Sequence, residues 1–199
     1  MKVIQLSDLH LIRPGQLLYG TSPLDRLQLA IDGILEAHAD AEFCLLTGDL
    51  ANAGGEAAYR SLAQALLPMP AYPLVGNHDD RAELTRCFPA LAASADGFLQ
   101  STIATGHGRF LLLDTLEPGV PWGVYCARRR EWLGERLRAA GDEPVWLAMH
   151  HPPFAVGIPS MDQYSLRDPE AFWSVIAPHR ARIRHLFFGH LHRPLVGSS

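Results

Sequence analysis

Short apolar runs alternate along the chain with segments in which apolar residues recur every three or four positions. Runs such as Glu42–Leu46 and Val145–Met149 are short and almost wholly apolar, which is typical of strands buried on both faces. The helical pattern is clear after Ser22, which can cap a helix that has Pro23 at its first position. The chain therefore predicts strands and helices in alternation.

The same reading locates the remaining elements. Predicted strands cover Lys2–Leu6, Glu42–Leu46, Ala71–Val75, Phe98–Ala104, Arg109–Asp114, Val145–Met149 and Ile183–Phe188. Predicted helices start after Ser22, cover Glu56–Leu67, begin at about Arg81, cover Arg128–Ala139, and cover Pro169–Ile176 behind a cap at Asp168. A Thr-Gly-His-Gly turn makes the fourth and fifth strands a hairpin. This order indicates a layered, mostly parallel α/β architecture. No repeat or linker interrupts it, so we expect one domain over residues 1–199.

Composition narrows the class of protein. A chain of 199 residues with 48% hydrophobic residues can bury one sizeable core. Its net charge of −4 disfavours a nucleic-acid polymer as partner. The three cysteines are too widely spaced to predict a disulfide framework or a zinc knuckle, which favours a reducing, cytoplasmic location. Neither a signal peptide nor a membrane span is predicted.

Several common chemistries are absent from the sequence. Lys2 is the only lysine, so the other 16 of the 17 basic residues are arginine. A phosphate-binding P-loop and Schiff-base catalysis both need a lysine elsewhere in the chain, and both are excluded. No Gly-x-Ser-x-Gly or His-Glu-x-x-His motif occurs, which removes the usual serine hydrolase and zinc protease interpretations.

Histidines and other possible metal ligands follow five of the predicted strands. Six of the ten histidines lie there, together with carboxylates and one amide. Because the carboxyl ends of parallel strands meet at one edge of a sheet, these segments are expected to converge. The segments are Asp8-Leu9-His10, Gly48-Asp49, Gly76-Asn77-His78-Asp79, His150-His151-Pro152 and Gly189-His190-Leu191-His192.

Imidazole, carboxylate and amide donors without a thiolate suit manganese, iron, zinc or cobalt. The donors are too many for one tetrahedral ion and fit two divalent or trivalent ions that share a bridging carboxylate. Two such ions would make a positive pocket for a phosphate oxygen and would activate water near neutral pH.

The five segments, in this order, resemble the signature of calcineurin-like metallophosphoesterases. The spacing, with Leu18-Tyr19-Gly20 after the first segment, looks most like the bacterial class III cyclic-nucleotide phosphodiesterases and glycerophosphodiesterases. The resemblance covers almost the whole chain. It implies a four-layer α/β/β/α sandwich with mixed sheets. Only seven residues follow His192, so we expect a second sheet abbreviated at the C-terminus, or a truncated product.

The resemblance also implies a role for each residue. Asp49 would bridge the ions, and His78 would be the catalytic residue that hydrogen-bonds the phosphate or protonates the leaving group. Substrate-binding residues would be Asn77, His78 and His151. For His151, two further interpretations are equally open: it donates a hydrogen bond to a metal ligand, or it is simply a packed residue. The first ion would be bound by Asp8, His10 and His192, and the second by Asn77, His150 and His190.

Three neighbouring features are expected to be structural. Asp79 would cap the following helix or orient His78. For Asp114, a structural role is favoured over one in which it supports the metal ligands. The run Arg128–Arg130 would form a solvated helix face.

The function that follows is hydrolysis of a small phosphodiester, of the cyclic nucleotide or glycerophosphodiester type. One alternative is a phosphomonoesterase or a nuclease of the same superfamily. Another is a metal-binding protein with little turnover owing to the short C-terminus, against which the non-ligand His78 argues. A homo-oligomer is compatible with the sequence.

Overall fold

Seven strands form two sheets in the computed structural model, which describes residues 1–91, 93–94 and 96–197. The last two residues of the predicted domain 1–199 lie outside this range. The first sheet is parallel, in the order β1-β2-β3, and the second has the order β4-β5-β6-β7, with only β4 antiparallel to its neighbour. The strands are β1 Val3–Leu6, β2 Phe43–Leu46, β3 Ala71–Pro73, β4 Ser101–Thr105, β5 Gly108–Leu112, β6 Val145–Ala148 and β7 Ile183–Phe187.

The helices lie mostly where the periodicity predicts them. Ser22 caps α1 as expected, because its hydroxyl accepts the Asp25 N–H at 3.2 Å. A four-residue helix and a 3₁₀ helix over Ala177–Arg182 had no sequence signal, since both are too short to show a period. The α-helices are α1 Pro23–Ala37, α2 Glu56–Ala65, α3 Arg81–Cys87, α4 Ala127–Ala139, α5 Pro159–Asp162 and α6 Pro169–Ile176.

Three apolar cores hold four layers together. The two sheets pack face to face through residues such as Phe43, Leu45 and Phe110. The outer face of the first sheet packs against α1, α2 and α3, and that of the second against α4 and α6. Apolar residues therefore cover both faces of each sheet, which explains the continuous apolar runs in the sequence. The predicted α/β/β/α sandwich is confirmed, with mixed pairing in the second sheet.

Some local expectations were wrong. Asp168 precedes α6 but has a φ of 51° and makes no side-chain capping bond. Arg129 lies on no solvated face: it is 1% exposed, and it donates to the carbonyls of Asp114 and Leu116, both at 3.0 Å. A charge run predicts exposure, and here two carbonyls of the segment before α4 accept from Nη1 of the buried guanidinium.

Parallel pairing places the ends of both sheets at one edge of the sandwich. The Asp8 N–H donates to the Gly48 carbonyl at 3.1 Å, and the Gly189 N–H donates to the His150 carbonyl at 3.0 Å. Each of these bonds joins loops that follow neighbouring strands. Within the described parts of the chain, no helix is long and apolar enough to cross a membrane.

Candidate metal centre

The loops at this edge are bonded to one another across both sheets. The Asp8 carboxylate accepts the backbone N–H of His190 at 3.0 and 3.1 Å, which joins the loop after β1 to the loop after β7. The His78 N–H donates to Asp49 Oδ1 at 3.0 Å, which joins the loops after β2 and β3. All nine predicted site residues lie in these loops or in the loop after β6.

A first group of side chains consists of Asp8, His10, Asp49 and His192. One potential ligand atom from each lies within 4.8 Å of the others. The Nε2 atoms of His10 and His192 are 3.1 Å apart, and His192 Nε2 is 3.7 Å from Asp8 Oδ1. Two imidazole nitrogens at this separation need a shared proton or a cation between them.

A second group consists of the buried residues His150, His151 and His190, whose potential ligand atoms also lie within 4.8 Å of one another. His150 Nδ1 is 2.7 Å from the Thr47 carbonyl oxygen. Nδ1 therefore donates to this carbonyl, which leaves Nε2 to face the site. A backbone carbonyl commonly orients a metal-binding histidine in this way.

Asp49, a member of the first group, also faces the second group. Its Oδ2 atom is 3.6 Å from His10 Nε2 on one side and 3.4 Å from His150 Nε2 on the other. The side chain is 2% exposed. One buried carboxylate thus faces the nitrogen donors of both groups.

Several buried polar atoms of the site have no hydrogen-bond partner among the described residues. A buried polar atom left unpaired costs roughly 1–3 kcal/mol, so a concentration of them in one place indicates a binding site. All are nitrogen or oxygen atoms of the kind that bind transition metals, so this donor set fits the two ions that the sequence predicts. The atoms are His10 Nδ1, Asn77 Oδ1, His150 Nε2, His151 Nε2 and His190 Nε2.

The charges of the site are strongly coupled. Burial alone would raise the pKa of Asp49, but the adjacent His150 and the His78 N–H lower it well below its usual range. Burial alone would lower the pKa of His150, but the negative charge of Asp49 outweighs the effect of burial and raises this pKa to about 9. Burial and the neighbouring His150 lower the pKa of His190 to about 3. Asp49 is therefore ionised, and a cation at this place would bind a neutral His190.

The backbone is strained at the same residues. Among the residues that the structure describes, seven non-glycine residues have a positive φ. Five of them are predicted metal ligands: Asp8 at 55°, His10 at 44°, Asp49 at 51°, His190 at 73° and His192 at 52°. A left-handed conformation is unfavourable for residues with a Cβ atom, and it persists where a function requires it. The turns direct these side chains toward one point.

Glycines of the motifs allow the loops to approach closely. A Cβ atom on Gly76 would overlap the carboxylate and backbone nitrogen of Asp49. A Cβ atom on Gly48 would lie 2.5 Å from His150 Nδ1, and one on Gly189 would overlap Ser7 Oγ. The motif glycines are therefore needed because side chains of the site occupy the space around them.

We expect Gly76→Ala to displace Asp49 and to destabilise the fold by about 1–3 kcal/mol, the usual cost of overpacking a buried position. The matched control is Gly33→Ala on α1, where an added Cβ meets nothing within 4 Å. In a helix this control should gain up to about 1 kcal/mol. Urea unfolding of both variants measures the difference. A Gly76→Ala variant as stable as the wild type would contradict the close approach.

His78 is held by a backbone carbonyl at the edge of the site. Its Nδ1 atom is 2.6 Å from the carbonyl oxygen of Asn52, and its Nε2 atom is 4.0 Å from Asp49 Oδ2. The side chain is 42% exposed. Nδ1 therefore donates to Asn52, and Nε2 faces the solvent-accessible side of the site.

His151 is oriented by a contact of its Nδ1 atom. Its Nδ1 atom is 2.7 Å from Thr115 Oγ1, and a Cβ atom on Gly123 would lie 2.6 Å from its ring. The orienting groups, Thr47, Asn52 and Thr115, were not found from the sequence. Two of them act through backbone carbonyls, which every residue has, so residue type carried no signal.

Asp79 has neither of the roles expected for it. The adjacent Asp80 caps α3 by accepting the Glu83 N–H at 2.8 Å, and the Asp79 carboxylate bonds neither to the start of α3 nor to the His78 ring. Asp114 has the expected structural role, because it forms an ion pair with Arg81 at 2.6 Å and accepts the N–H groups of Leu99 and Leu116.

Fold and site together define a phosphoesterase of the two-metal type. The family model described as calcineurin-like phosphoesterase matches residues 1–194, and the chain belongs to that family. The expected family and fold are thereby confirmed.

Relatives and solved structures agree with this assignment. A protein of Rhodopseudomonas palustris named a probable cyclic nucleotide phosphodiesterase is 40% identical over 99% of this chain and 73% of its own length. A Mycobacterium tuberculosis protein named a cAMP/cGMP dual specificity phosphodiesterase is 32% identical over 96% of this chain and 61% of its own. A dimetal phosphatase of Danio rerio has the same fold, with a TM-score of 0.71 at 16% identity over 96% of this chain and 81% of that one. The names of the relatives agree with the predicted class, a phosphoric diester hydrolase.

Proposed function

We propose that this chain hydrolyses cyclic nucleotides as a two-metal phosphodiesterase. The observation that carries the proposal is the position of Asp49, whose Oδ2 atom faces His10 Nε2 at 3.6 Å and His150 Nε2 at 3.4 Å. A carboxylate between two sets of nitrogen donors is the arrangement that binds two ions side by side.

Each ion would have its own set of residues, with Asp49 shared. When bound, two such ions polarise the phosphoryl oxygens and lower the pKa of the water that attacks phosphorus. The nitrogen and oxygen donors suit manganese, iron, zinc or cobalt, and cellular supply selects among these. Asp8, His10 and His192 would bind the first ion, and Asn77, His150 and His190 the second.

The protein's own contribution is to hold the phosphate and move a proton. His78 presents Nε2 toward the site. In its charged form, with Nδ1–H held by Asn52 and a second proton on Nε2, the ring would donate the Nε2 proton to the ester oxygen as the P–O bond breaks and would be left neutral. His151 keeps Nε2 buried and unpartnered beside His150 and His190, and we propose it as a substrate contact together with Asn77 and His78.

The substrate class rests on the relatives, two of which are named cyclic nucleotide phosphodiesterases. We propose that residues 1–199 form one domain with this activity. We also propose a cytoplasmic location, because Cys44, Cys87 and Cys126 are all free thiols.

The test compares diester and monoester substrates. The metal-free protein is assayed with 3′,5′-cyclic AMP, bis(p-nitrophenyl) phosphate and p-nitrophenyl phosphate, with added Mn²⁺ and with a chelator. We expect Mn²⁺-dependent cleavage of cyclic AMP to AMP and a preference for the diester over the monoester.

Two outcomes would overturn this function. Faster cleavage of the monoester would make the protein a phosphomonoesterase with the same site. Two bound ions without turnover of any substrate would make it a metal-binding protein.

A further inference from the structure

The loops after β2 and β3 are each hydrogen-bonded by a carboxylate of the other loop. The Asp49 carboxylate of the first loop accepts the His78 N–H of the second at 3.0 Å. In the opposite direction, the Asp79 carboxylate of the second loop accepts the Leu50 N–H at 3.1 Å and the Ala51 N–H at 3.0 Å. Each loop is thus held by a side chain of the other, directly beside Asp49 and Asn77.

Asp79 also binds its own loop and helix α2. Its Oδ2 atom accepts the Gly76 N–H at 2.8 Å, and its Oδ1 atom accepts the Tyr59 hydroxyl at 3.0 Å. Tyr59 lies on α2, is fully buried, and accepts the Asp80 N–H at 2.9 Å. The carboxylate therefore connects three segments of chain.

The chemistry of this position requires a carboxylate. Donors face both oxygen atoms of Asp79, which is 8% exposed, and an ionised carboxylate accepts at both. In an asparagine, an NH₂ group replaces one of the two oxygens. This NH₂ group would face a backbone N–H, and neither of these two donors would then have an acceptor. Because N–H groups and a hydroxyl occupy both oxygens, Asp79 is not free to bind a metal itself.

We propose that Asp79 is a positioning residue that fixes the spacing between Asp49 and Asn77, and thereby the affinity of the second metal position. The inference rests on the proposed function. Asn77 is the only proposed ligand from the loop after β3, and the first position draws none from that loop. A displacement of the loop after β3, which carries Asn77, should therefore weaken the second position selectively. Residues behind metal ligands typically contribute about 10- to 100-fold in affinity.

The test is a calorimetric titration of Mn²⁺ into the metal-free wild type and into Asp79→Asn. We expect the dissociation constant of the weaker site to rise about 10- to 100-fold in the variant, with the other site unchanged. Tyr59→Phe removes one donor from Asp79 and should give a smaller increase at the same site. It also serves as the test if Asp79→Asn does not fold.

The matched control is Asp80→Asn, which changes the neighbouring carboxylate. Among the described residues the Asp80 carboxylate bonds only to the Glu83 N–H at the start of α3, so this variant should bind both ions as the wild type does. Equal weakening of both sites in Asp79→Asn, or no change at either, would overturn the inference. A wild type that binds no Mn²⁺ would instead overturn the proposed function.

Discussion

Asp49→Ala is expected to reduce the metal content from two ions to fewer than one per chain. The reason is that Asp49 Oδ2 faces the nitrogen donors of both groups, at 3.6 Å from His10 and 3.4 Å from His150. Two-metal stabilisation is worth several kcal/mol, so kcat/KM for a diester should fall on the order of 10³-fold or more. Elemental analysis of the metal-loaded protein, beside the kinetics, measures both effects.

Comparison with Asn77→Ala tests whether both ions share Asp49. Asn77 is proposed to serve one ion only, so its removal should leave one ion bound. Asp49→Asn keeps an oxygen for the His78 N–H and shows whether loss of the charge alone is sufficient. The exposed Asp32→Ala on α1 is the control for loss of an acidic residue. If Asp49→Ala keeps one tightly bound ion, as Asn77→Ala does, the carboxylate is not shared.

His78→Ala is expected to separate turnover from metal binding. His78 is held through Nδ1 by the Asn52 carbonyl at 2.6 Å, and its Nε2 is available to the substrate. Loss of a general acid should lower kcat by about 10²–10⁴-fold while two ions remain bound. Steady-state kinetics and metal content are measured on the same preparation.

The control for His78 is His107→Ala, an exposed histidine in the turn between β4 and β5. It should leave kcat and metal content unchanged. The leaving group provides a second check. His78→Ala should be less impaired with bis(p-nitrophenyl) phosphate than with cyclic AMP, because p-nitrophenolate leaves without a proton. Unchanged turnover of cyclic AMP in His78→Ala would show that the assigned proton transfer is wrong.

The strained turns explain how so many donors reach one place. Five predicted ligands have positive φ, and hydrogen bonds from neighbouring loops hold two of them, Asp8 and Asp49. Strain of this kind costs of order 1–3 kcal/mol per residue and needs such support. The fold itself thereby holds these two predicted ligands in place.

Most of the fold could be predicted from the sequence because its signals are local. The short apolar runs have the composition of buried strands, and the cap at Ser22 follows from the chemistry of one helix turn. Boundaries were less accurate: β3 ends at Pro73, two residues before the predicted end at Val75. The burial of Arg129 could not be predicted, since its partners are backbone carbonyls of the segment before α4, and residue type carries no signal for these.

The sequence by itself determined which donors the candidate site contains and in what order the strands present them, because motif residues directly follow strands whose apolar pattern is local. Only the tertiary structure decided how those loops are held. Asp49 lies between two histidine groups because the ends of two sheets meet at one edge of the sandwich. Asp79 bonds the N–H groups of Leu50 and Ala51, and Asp80 caps the helix. Two adjacent aspartates look alike in a sequence, and their roles separate only when the backbone sets which donors each one meets.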